Sequence, residues 1–243
     1  MILKILNKQN FIQNFLSPIA KVNDLCSLTL ENNSIYSFNR TVDGTFTLYS
    51  FSNDIVYEGD KRILSFSEIT KFIKAFSTIP QEEDIELKLN ENSIEYKSHL
   101  NKFKFHLIND NIVKGPSYNL DKLNSLEFNL EFVLSYAAYL NLLKSSTFIS
   151  SEKIYIYTED NKVYGELTDK TKNNVDSYTL LLSENYNGSE CNKPLAFNFN
   201  LFRSISTQKN LDLSIKLNTR GILVFDIQND KYKLKYISTA HVS

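Results

Sequence analysis

Residues 67–79 are the most regular stretch of this sequence and read Ser-Glu-Ile-Thr-Lys-Phe-Ile-Lys-Ala-Phe-Ser-Thr-Ile. Their apolar side chains recur every three or four positions, which predicts a helix with one buried face that ends before Pro80. Lys71 and Lys74 fall on the opposite, polar face. Runs that alternate between polar and apolar residues follow between positions 84 and 107, as expected for strands. A helix among alternating strands indicates an α+β fold.

The residues on the N-terminal side of this stretch show the same kinds of element. Residues 1–6 have the character of a strand, and residues 7–19 carry Phe11 and Phe15 in a second helical stripe. Asn, Asp and Gly tolerate the positive φ angles of hairpin turns. Strand-like runs therefore follow at 27–30, 34–38 and 45–49, with turns at Asn32-Asn33 and Asp43-Gly44.

The C-terminal half repeats this order. We predict a strand at 126–130, a helix at 131–144, strands at 147–150, 153–158, 163–167, 178–182 and 194–199, a short helix at 200–209, and strands at 211–217, 221–227 and 232–238. Corresponding helices begin 124 residues apart (7 and 131) and 133 residues apart (67 and 200). We therefore expect two similar α+β domains, each with antiparallel sheets and two helices on one face. The domains would span 1–110 and 125–243, joined by a connector at 111–124.

The predicted helices are basic, whereas the remainder of the chain is acidic. Six basic and two acidic residues give the helices a net charge of +4, while the whole chain carries −1. Helices with one apolar face lie on a sheet and turn their polar faces to solvent or to a partner. Those faces are either merely solvated or suited to a polyanion such as DNA. They include Lys8, Asn10, Asn14, Lys71, Lys74, Lys144, Arg203 and Lys209.

Composition excludes several classes of protein. A chain of 243 residues with 42% hydrophobic residues and no low-complexity tract has enough apolar surface for a folded core. The longest apolar helical stretch, 132–143, is too short to span a bilayer, and the N-terminus lacks the apolar core of a secretory signal. Cys26 and Cys191 form no cysteine framework. We therefore expect a cytoplasmic protein without disulfides or membrane contact.

The usual catalytic and cofactor-binding motifs do not occur. The sequence contains neither a GxxxxGK[ST] phosphate loop nor a GxGxxG turn. His99, His106 and His241 lack metal-ligand spacing, and the acidic run 82–84 suits a solvated turn. We therefore expect no enzymatic activity, no metal and no cofactor.

The hairpin Phe38-Asn39-Arg40-Thr41-Val42-Asp43-Gly44-Thr45, within residues 11–51, carries the strongest similarity to a known family. Together with the twofold order of elements, it resembles the DNA sliding clamps, the family that includes proliferating cell nuclear antigen (PCNA). The resemblance is closest to the processivity clamps of T-even-type bacteriophages. It extends over essentially the whole chain, although residues 170–176 and the short fourth helix fit poorly.

The resemblance implies a homotrimeric ring that encircles double-stranded DNA, with helices lining the hole. Such a clamp has no enzymatic activity; a clamp loader places it on DNA, and it tethers a DNA polymerase. The helix residues named above would face DNA. The connector residues Ile112, Val113, Tyr118 and Leu120 would bind a partner peptide, or would simply anchor the connector onto its sheet. Whether the clamp also activates transcription is left open by the sequence.

A ring of this kind joins exposed sheet edges of neighbouring subunits. The sequence predicts one edge at 101–108 and another at either 163–167 or 178–182. Two other functions compete with the clamp: a β-rich structural protein of a phage virion, which gives the basic helices no purpose, and a single-stranded DNA-binding protein. A single-stranded DNA-binding protein would bind short linear DNA directly, which a loaded ring would not.

Overall fold

A computed structural model of the chain describes residues 1–113, 124–149, 151–205 and 212–240. The chain divides into two compact units, and each is described by itself. The first contains Met1–Ser117 and Gln228–Leu234, and the second contains Tyr118–Ile227 and Lys235–Ser243. The segment Gln228–Leu234 thus joins the first unit, although the sequence prediction assigned it to the C-terminal domain.

The first unit contains strands and helices in the predicted order. A continuous helix α1 covers residues 8–22 as Lys8–Phe11, a π-helical turn Ile12–Leu16, and Ser17–Val22. Helix α2 is Ile69–Ser77, and a 3₁₀ turn is Asp110–Ile112. The strands are β1 (Ile2–Asn7), β2 (Cys26–Glu31), β3 (Ser34–Arg40), β4 (Phe46–Ser52), β5 (Ile55–Tyr57), β6 (Arg62–Phe66), β7 (Glu83–Asn90), β8 (Ser93–Lys97) and β9 (Lys102–His106).

Antiparallel pairing organises these strands into sheets against which the helices pack. One sheet has the order β5-β1-β7-β8-β9, and strands β6, β2, β3 and β4 pair in that order in another. Aromatic rings fill the core between the helices: the ring centroids of Phe11 and Phe76 lie 6.1 Å apart, and those of Phe66 and Phe72 lie 5.2 Å apart. Phe11, Phe72 and Phe76 belong to the apolar stripes that predicted the two helices, whereas Phe66 comes from strand β6.

The π-helical turn in α1 follows from Pro18. Proline has no N–H, and its ring collides with the carbonyl four residues earlier, here that of Asn14. The preceding turn widens instead, so that the Ser17 N–H bonds to the Ile12 carbonyl five residues back. The helix then continues to Val22, three residues beyond its predicted end, and brings Lys21 into α1.

The second unit has the same kinds of element. Its helices are α3 (Tyr136–Phe148) and α4 (Asn200–Ser204). Its strands are β10 (Leu130–Leu134), β11 (Lys153–Glu159), β12 (Lys162–Leu167), β13 (Tyr178–Ser183), β14 (Asn187–Gly188), β15 (Leu195–Asn198), β16 (Leu213–Leu217) and β17 (Ile222–Gln228). A last strand, β18, is Tyr232–Thr239.

The strands of the second unit form two antiparallel groups that enclose its core. One sheet has the order β13-β12-β11-β15, and strands β14, β10, β16 and β17 pair in that order. The Tyr139 hydroxyl on α3 donates a 2.8 Å hydrogen bond to the Phe202 carbonyl on α4, and the Phe202 ring meets Phe225 edge-on at 5.0 Å. As in the first unit, the two helices touch each other. The α+β class with antiparallel sheets is confirmed.

Several predicted boundaries are wrong. Residues 130–134 form strand β10, and the helix begins only at Tyr136, because the Ser135 hydroxyl caps it by accepting from the Ala138 N–H. The predicted strand at 147–150 is absent as far as Ile149, since α3 continues through Phe148. Strands β5 and β6 lie between positions 49 and 67, where the sequence predicted no element. With the observed bounds, equivalent helices begin 128 residues apart (8 and 136) and 131 apart (69 and 200), a closer repeat than the sequence suggested.

Candidate functional site

Within their described bounds, helices α1 to α4 carry basic residues and no acidic ones. Within their observed bounds, Glu68 lies before α2 and Glu131 lies in β10, so both acidic residues of the predicted helices fall outside them. The six basic residues inside the described helices are Lys8, Lys21, Lys71, Lys74, Lys144 and Arg203. All except Lys8 are exposed. Each of the helices α1 to α4 thus carries positive charge, and none of them has an acidic residue within its described bounds to neutralise it.

Lys8 is the exception and corrects the prediction that it lies on an exposed face. Its side chain is buried, with Nζ 2.7 Å from Glu82 Oε1 and donating to the Ile79 carbonyl just beyond α2. A cation at the C-terminal end of a helix interacts favourably with the helix dipole and its unpaired carbonyls. Lys8 therefore fastens the start of α1 to the end of α2 and is not available to a partner.

The exposed cations differ in how strongly they are held by neighbours. Lys71 Nζ lies 3.0 Å from Glu68 Oε2, and Arg203 donates to Asn200 Oδ1 and stacks on the Phe199 ring at 4.7 Å. Lys74 and Lys144 form no ion pair with any residue that the structure describes. These two are consequently the least compensated charges among the predicted residues.

Lys21 was not among the predicted residues because the helix was expected to end at Ile19. It is exposed, yet neighbouring protein atoms desolvate its ammonium group and lower its pKa. Asn10 and Asn14 are half-buried on α1, and Asn10 donates its backbone N–H to Asn7 Oδ1 at the helix start. Lys209 lies outside the described residues.

The predicted connector residues that the structure describes also differ in their exposure to solvent. Ile112, in the 3₁₀ turn, is 57% exposed, whereas Val113 is half-buried. The turn is held to β6, because the Ile108 N–H donates to the Ser65 carbonyl and the Ser65 hydroxyl donates to Asp110. Ile112 therefore lies in a turn that hydrogen bonds attach to β6, and its side chain is largely exposed to solvent. Tyr118 and Leu120 lie outside the described residues.

A second apolar surface, missed by the sequence analysis, lies in the second unit. Leu126, Phe128 and Ile222 are half-buried and pack against Val224 and Ile237. A cavity of about 340 Å³ opens beside them and is lined by Asn124, Leu126, Phe128, Glu131, Lys216, Val224, Asp226 and Lys235. The sequence predicted a strand at 126–130, whereas β10 begins only at Leu130, so this surface was not recognised.

Ion pairs border this cavity. Lys235 Nζ lies 3.2 Å from Asp226 Oδ1, and Lys216 Nζ lies 3.5 Å from Glu131 Oε1. Three apolar lining residues, Leu126, Phe128 and Val224, among charged and polar ones suit a short peptide that inserts one or two apolar side chains. We refer to these lining residues as the Phe128 pocket.

Open sheet edges occur in both units. Among the described strands, β9 pairs with β8 alone and ends its sheet, in agreement with the predicted edge at 101–108. Strand β13 ends the sheet of the second unit, whereas β12 pairs with both β11 and β13. Of the two candidate edges in the second unit, 178–182 is therefore an edge and 163–167 is not. Tyr178 and Leu181 on β13 are exposed apolar side chains.

Comparison with solved structures gives matches over the full length. PCNA from A. fulgidus, solved with the C-terminal region of FEN-1 bound, superposes with a TM-score of 0.79 over 100% of this chain and 99% of its own, at 15% identity. PCNA from Thermococcus kodakaraensis gives 0.77 over 99% and 100%, at 12% identity. This chain has the PCNA fold.

Entamoeba histolytica PCNA also matches, with a TM-score of 0.73, 14% identity and 99% of this chain covered. No protein-family model and no curated protein matches the sequence. The likeness therefore lies in three-dimensional structure rather than in sequence, and it confirms the clamp fold that the order of elements predicted.

Two further properties bear on function. In the described ranges, no helix has the length and apolar character required to cross a bilayer. The same ranges contain no group of three or more His, Cys, Asp and Glu side chains placed to hold a metal ion. Cys26 is buried, and desolvation raises the pKa of its thiol well above the ordinary value.

Proposed function

We propose that this chain is the subunit of a sliding clamp, a ring that encircles duplex DNA and holds a DNA polymerase on its template. One observation carries the proposal: a chain that shares the PCNA fold from end to end has four described helices, α1 to α4, whose charged residues are all basic. A fold by itself hosts many functions, so the charge on the helices is the independent support. A β-rich virion protein would not need it.

The residues proposed to face DNA are those that remain exposed or half-buried on the helices. They are Asn10, Asn14, Lys21, Lys71, Lys74, Lys144 and Arg203, together with Lys209 from the sequence. Flexible lysines attract phosphates without reading bases, so the contacts are weak and independent of sequence. A ring held this way remains on DNA by topology and slides along it.

The proposed assembly is a homotrimer in which subunits join head to tail. Strand β9 of one subunit would pair with β13 of the next, and closing the ring would leave neither edge exposed. Head-to-tail contacts join unlike surfaces, and they form a closed ring when the rotations between successive subunits add up to a full turn.

Partner proteins are proposed to dock through short apolar peptides. The A. fulgidus PCNA structure holds the C-terminal region of FEN-1, which supports the idea that this fold binds such segments. In this chain the candidates are Ile112, Val113, Tyr118 and Leu120, and the Phe128 pocket. The partners would be a polymerase and an ATP-driven clamp loader, while the clamp itself needs no catalytic residue or cofactor.

The hairpin at 38–45 supports a closer kinship with the clamps of T-even-type bacteriophages, which would place the protein in the host cytoplasm. The proposed assembly is tested by light scattering across a dilution series. We expect a mass near three times the 28.1 kDa of one chain at micromolar concentration. A monomer or a dimer at every concentration would refute the ring.

A further inference from the structure

We infer that opposite charges on the two open sheet edges select and orient the contact between copies of this chain. The inference rests on the proposed ring and specifies how its subunits recognise each other: the basic β8–β9 edge takes the acidic surroundings of β13 on the next copy. The observations that carry it are the charges of the two edges, their hydrogen-bonding state, and a pair of lysines placed directly opposite each other.

The first edge, β9, is basic. Between Ser93 and His106 the chain has three lysines and one acidic residue, Glu95. Lys104 is already paired with Glu95, its Nζ 3.1 Å from the Glu95 Oε1. Lys97 and Lys102, both exposed, face each other as cross-strand partners. Like charges directly opposite each other destabilise a strand pair, and neither lysine has an ion pair with a described residue.

The second edge, β13, is acidic. Asp176, Glu184 and Glu190 are the charged residues between Lys172 and Lys193, so this stretch carries three negative charges and no positive ones. Asp176 precedes the strand and Glu184 follows it, and both are exposed. Glu184 has one partner, Lys162, at 2.9 Å, and Asp176 forms no ion pair with any residue in the described ranges.

Antiparallel pairing of the two edges places these charges together. The start of β9, with Lys102 and the facing Lys97 at the end of β8, then meets the end of β13, which Glu184 follows. The end of β9, with His106, meets the start of β13, with Asp176. The opposed lysines thereby gain an acidic neighbour that their own unit does not supply, and the cost of holding them together is removed.

Apolar side chains at both edges supply the affinity that exposed charges do not. Phe103 and Phe105 on β9 are half-buried, and Tyr178 and Leu181 on β13 are 43% and 37% exposed. Burial of apolar area strengthens association, whereas complementary charge mainly accelerates it and excludes wrong partners. Two copies of the same edge carry like charges and repel each other. The β9 edge therefore pairs with the β13 edge of the next copy and not with another β9 edge.

The experiment reverses the charge of each edge separately. One variant carries Lys97→Glu and Lys102→Glu, so that both of its edges are acidic; the other carries Asp176→Lys and Glu184→Lys, so that both are basic. By sedimentation velocity, each variant alone should assemble at least about tenfold more weakly than the unmodified chain. An equimolar mixture should form mixed complexes, and a chain with all four changes should recover assembly, because its two edges are again opposite in sign.

The control matched to the Lys97/Lys102 variant carries Lys193→Glu and Lys233→Glu, which make the same change in net charge at two exposed lysines outside both edges. It should assemble like the unmodified chain. Thermal unfolding of every variant establishes that the units remain folded. Normal assembly of the single-edge variants, or no recovery in the mixture and in the four-substitution chain, would overturn the inference while the ring stands. An unmodified chain that never assembles would overturn both.

Discussion

The hydroxyl of Tyr232 donates a 2.8 Å hydrogen bond to Asp54 Oδ2, and both side chains are buried. Lys231 adds an ion pair, its Nζ 2.7 Å from Asp54 Oδ1. Burial, followed by the hydrogen bond to Asp54, raises the pKa of Tyr232 far above that of a free tyrosine. One carboxylate thus holds the segment Gln228–Leu234 within the first unit.

Replacing Asp54 with alanine should therefore destabilise the fold. The change leaves the Tyr232 hydroxyl buried without its acceptor and Lys231 without its partner, which costs about 3 kcal/mol of unfolding free energy. Urea unfolding followed by circular dichroism measures the loss. Asp60→Ala, at an exposed carboxylate nearby, should cost less than about 0.5 kcal/mol. Equal effects of the two changes would show that the buried contacts contribute nothing.

Lys8 and Lys74 should respond in opposite ways to substitution. Lys8→Ala removes the donor to the Ile79 carbonyl and should lower the unfolding free energy by about 1–3 kcal/mol without altering DNA retention beyond that loss of folded protein. Lys74→Ala should leave stability nearly unchanged and weaken retention. Chemical unfolding and DNA-binding titrations of the same two proteins decide the matter. A stable Lys8→Ala chain with impaired DNA retention would return Lys8 to the DNA-facing set.

The unpaired helix cations should set the salt dependence of DNA retention. Reversing Lys21, Lys74 and Lys144 to glutamate removes three potential phosphate contacts, so the plot of log retention against log salt concentration should become shallower by roughly one unit per contact. The control reverses Lys88, Lys193 and Lys233, which are exposed but lie outside the helices. A slope that falls equally in both proteins would indicate an effect of net charge alone.

The sequence was sufficient to predict the order of elements, because the apolar stripes of α1 and α2 have helical spacing and are the residues that fill the core. It was insufficient where one pattern suits two structures. Residues 130–134 fit a helical stripe continuing to Leu143, and they also fit a strand that buries Leu130, Phe132 and Leu134. Only the helix cap at Ser135 distinguishes a strand at 130–134 from a longer helix. A prediction based on the spacing of several apolar residues gives one capping residue little weight.

The site was harder to predict because exposure depends on contacts that are distant in sequence. Lys8 is polar and begins a helix, so a helical projection places it in solvent; its burial comes from Ile79 and Glu82, more than 70 positions away. The Phe128 pocket needs side chains from 126–128 and from β17, which no local pattern connects. Lys21 was missed for a local reason: the apolar stripe of the predicted helix ends at Ile19, whereas the helix widens for one turn before Pro18 and continues to Val22.

The Phe128 pocket gives the partner-docking proposal a direct test. Phe128→Asp places a charge among Leu126 and Val224 and should abolish stimulation of the polymerase encoded by the same genome, while assembly and DNA retention persist. Replacing Ile112 and Val113 with serine should also reduce stimulation. Val133→Asp is the matched control, because Val133 is 53% exposed on β10 and does not line the pocket. Full stimulation by the Phe128→Asp chain would exclude the pocket as the docking site.

Retention on end-blocked DNA tests the encircling ring most directly. The protein is incubated at high concentration with a linear duplex biotinylated at both ends, streptavidin is added to block the ends, and the sample is washed in high salt, which removes proteins held by charge alone. A ring threaded onto the duplex should stay bound until a restriction enzyme cuts between the blocks, and should then be released. Loss of the protein in high salt, with no difference between blocked and open DNA, would contradict the account.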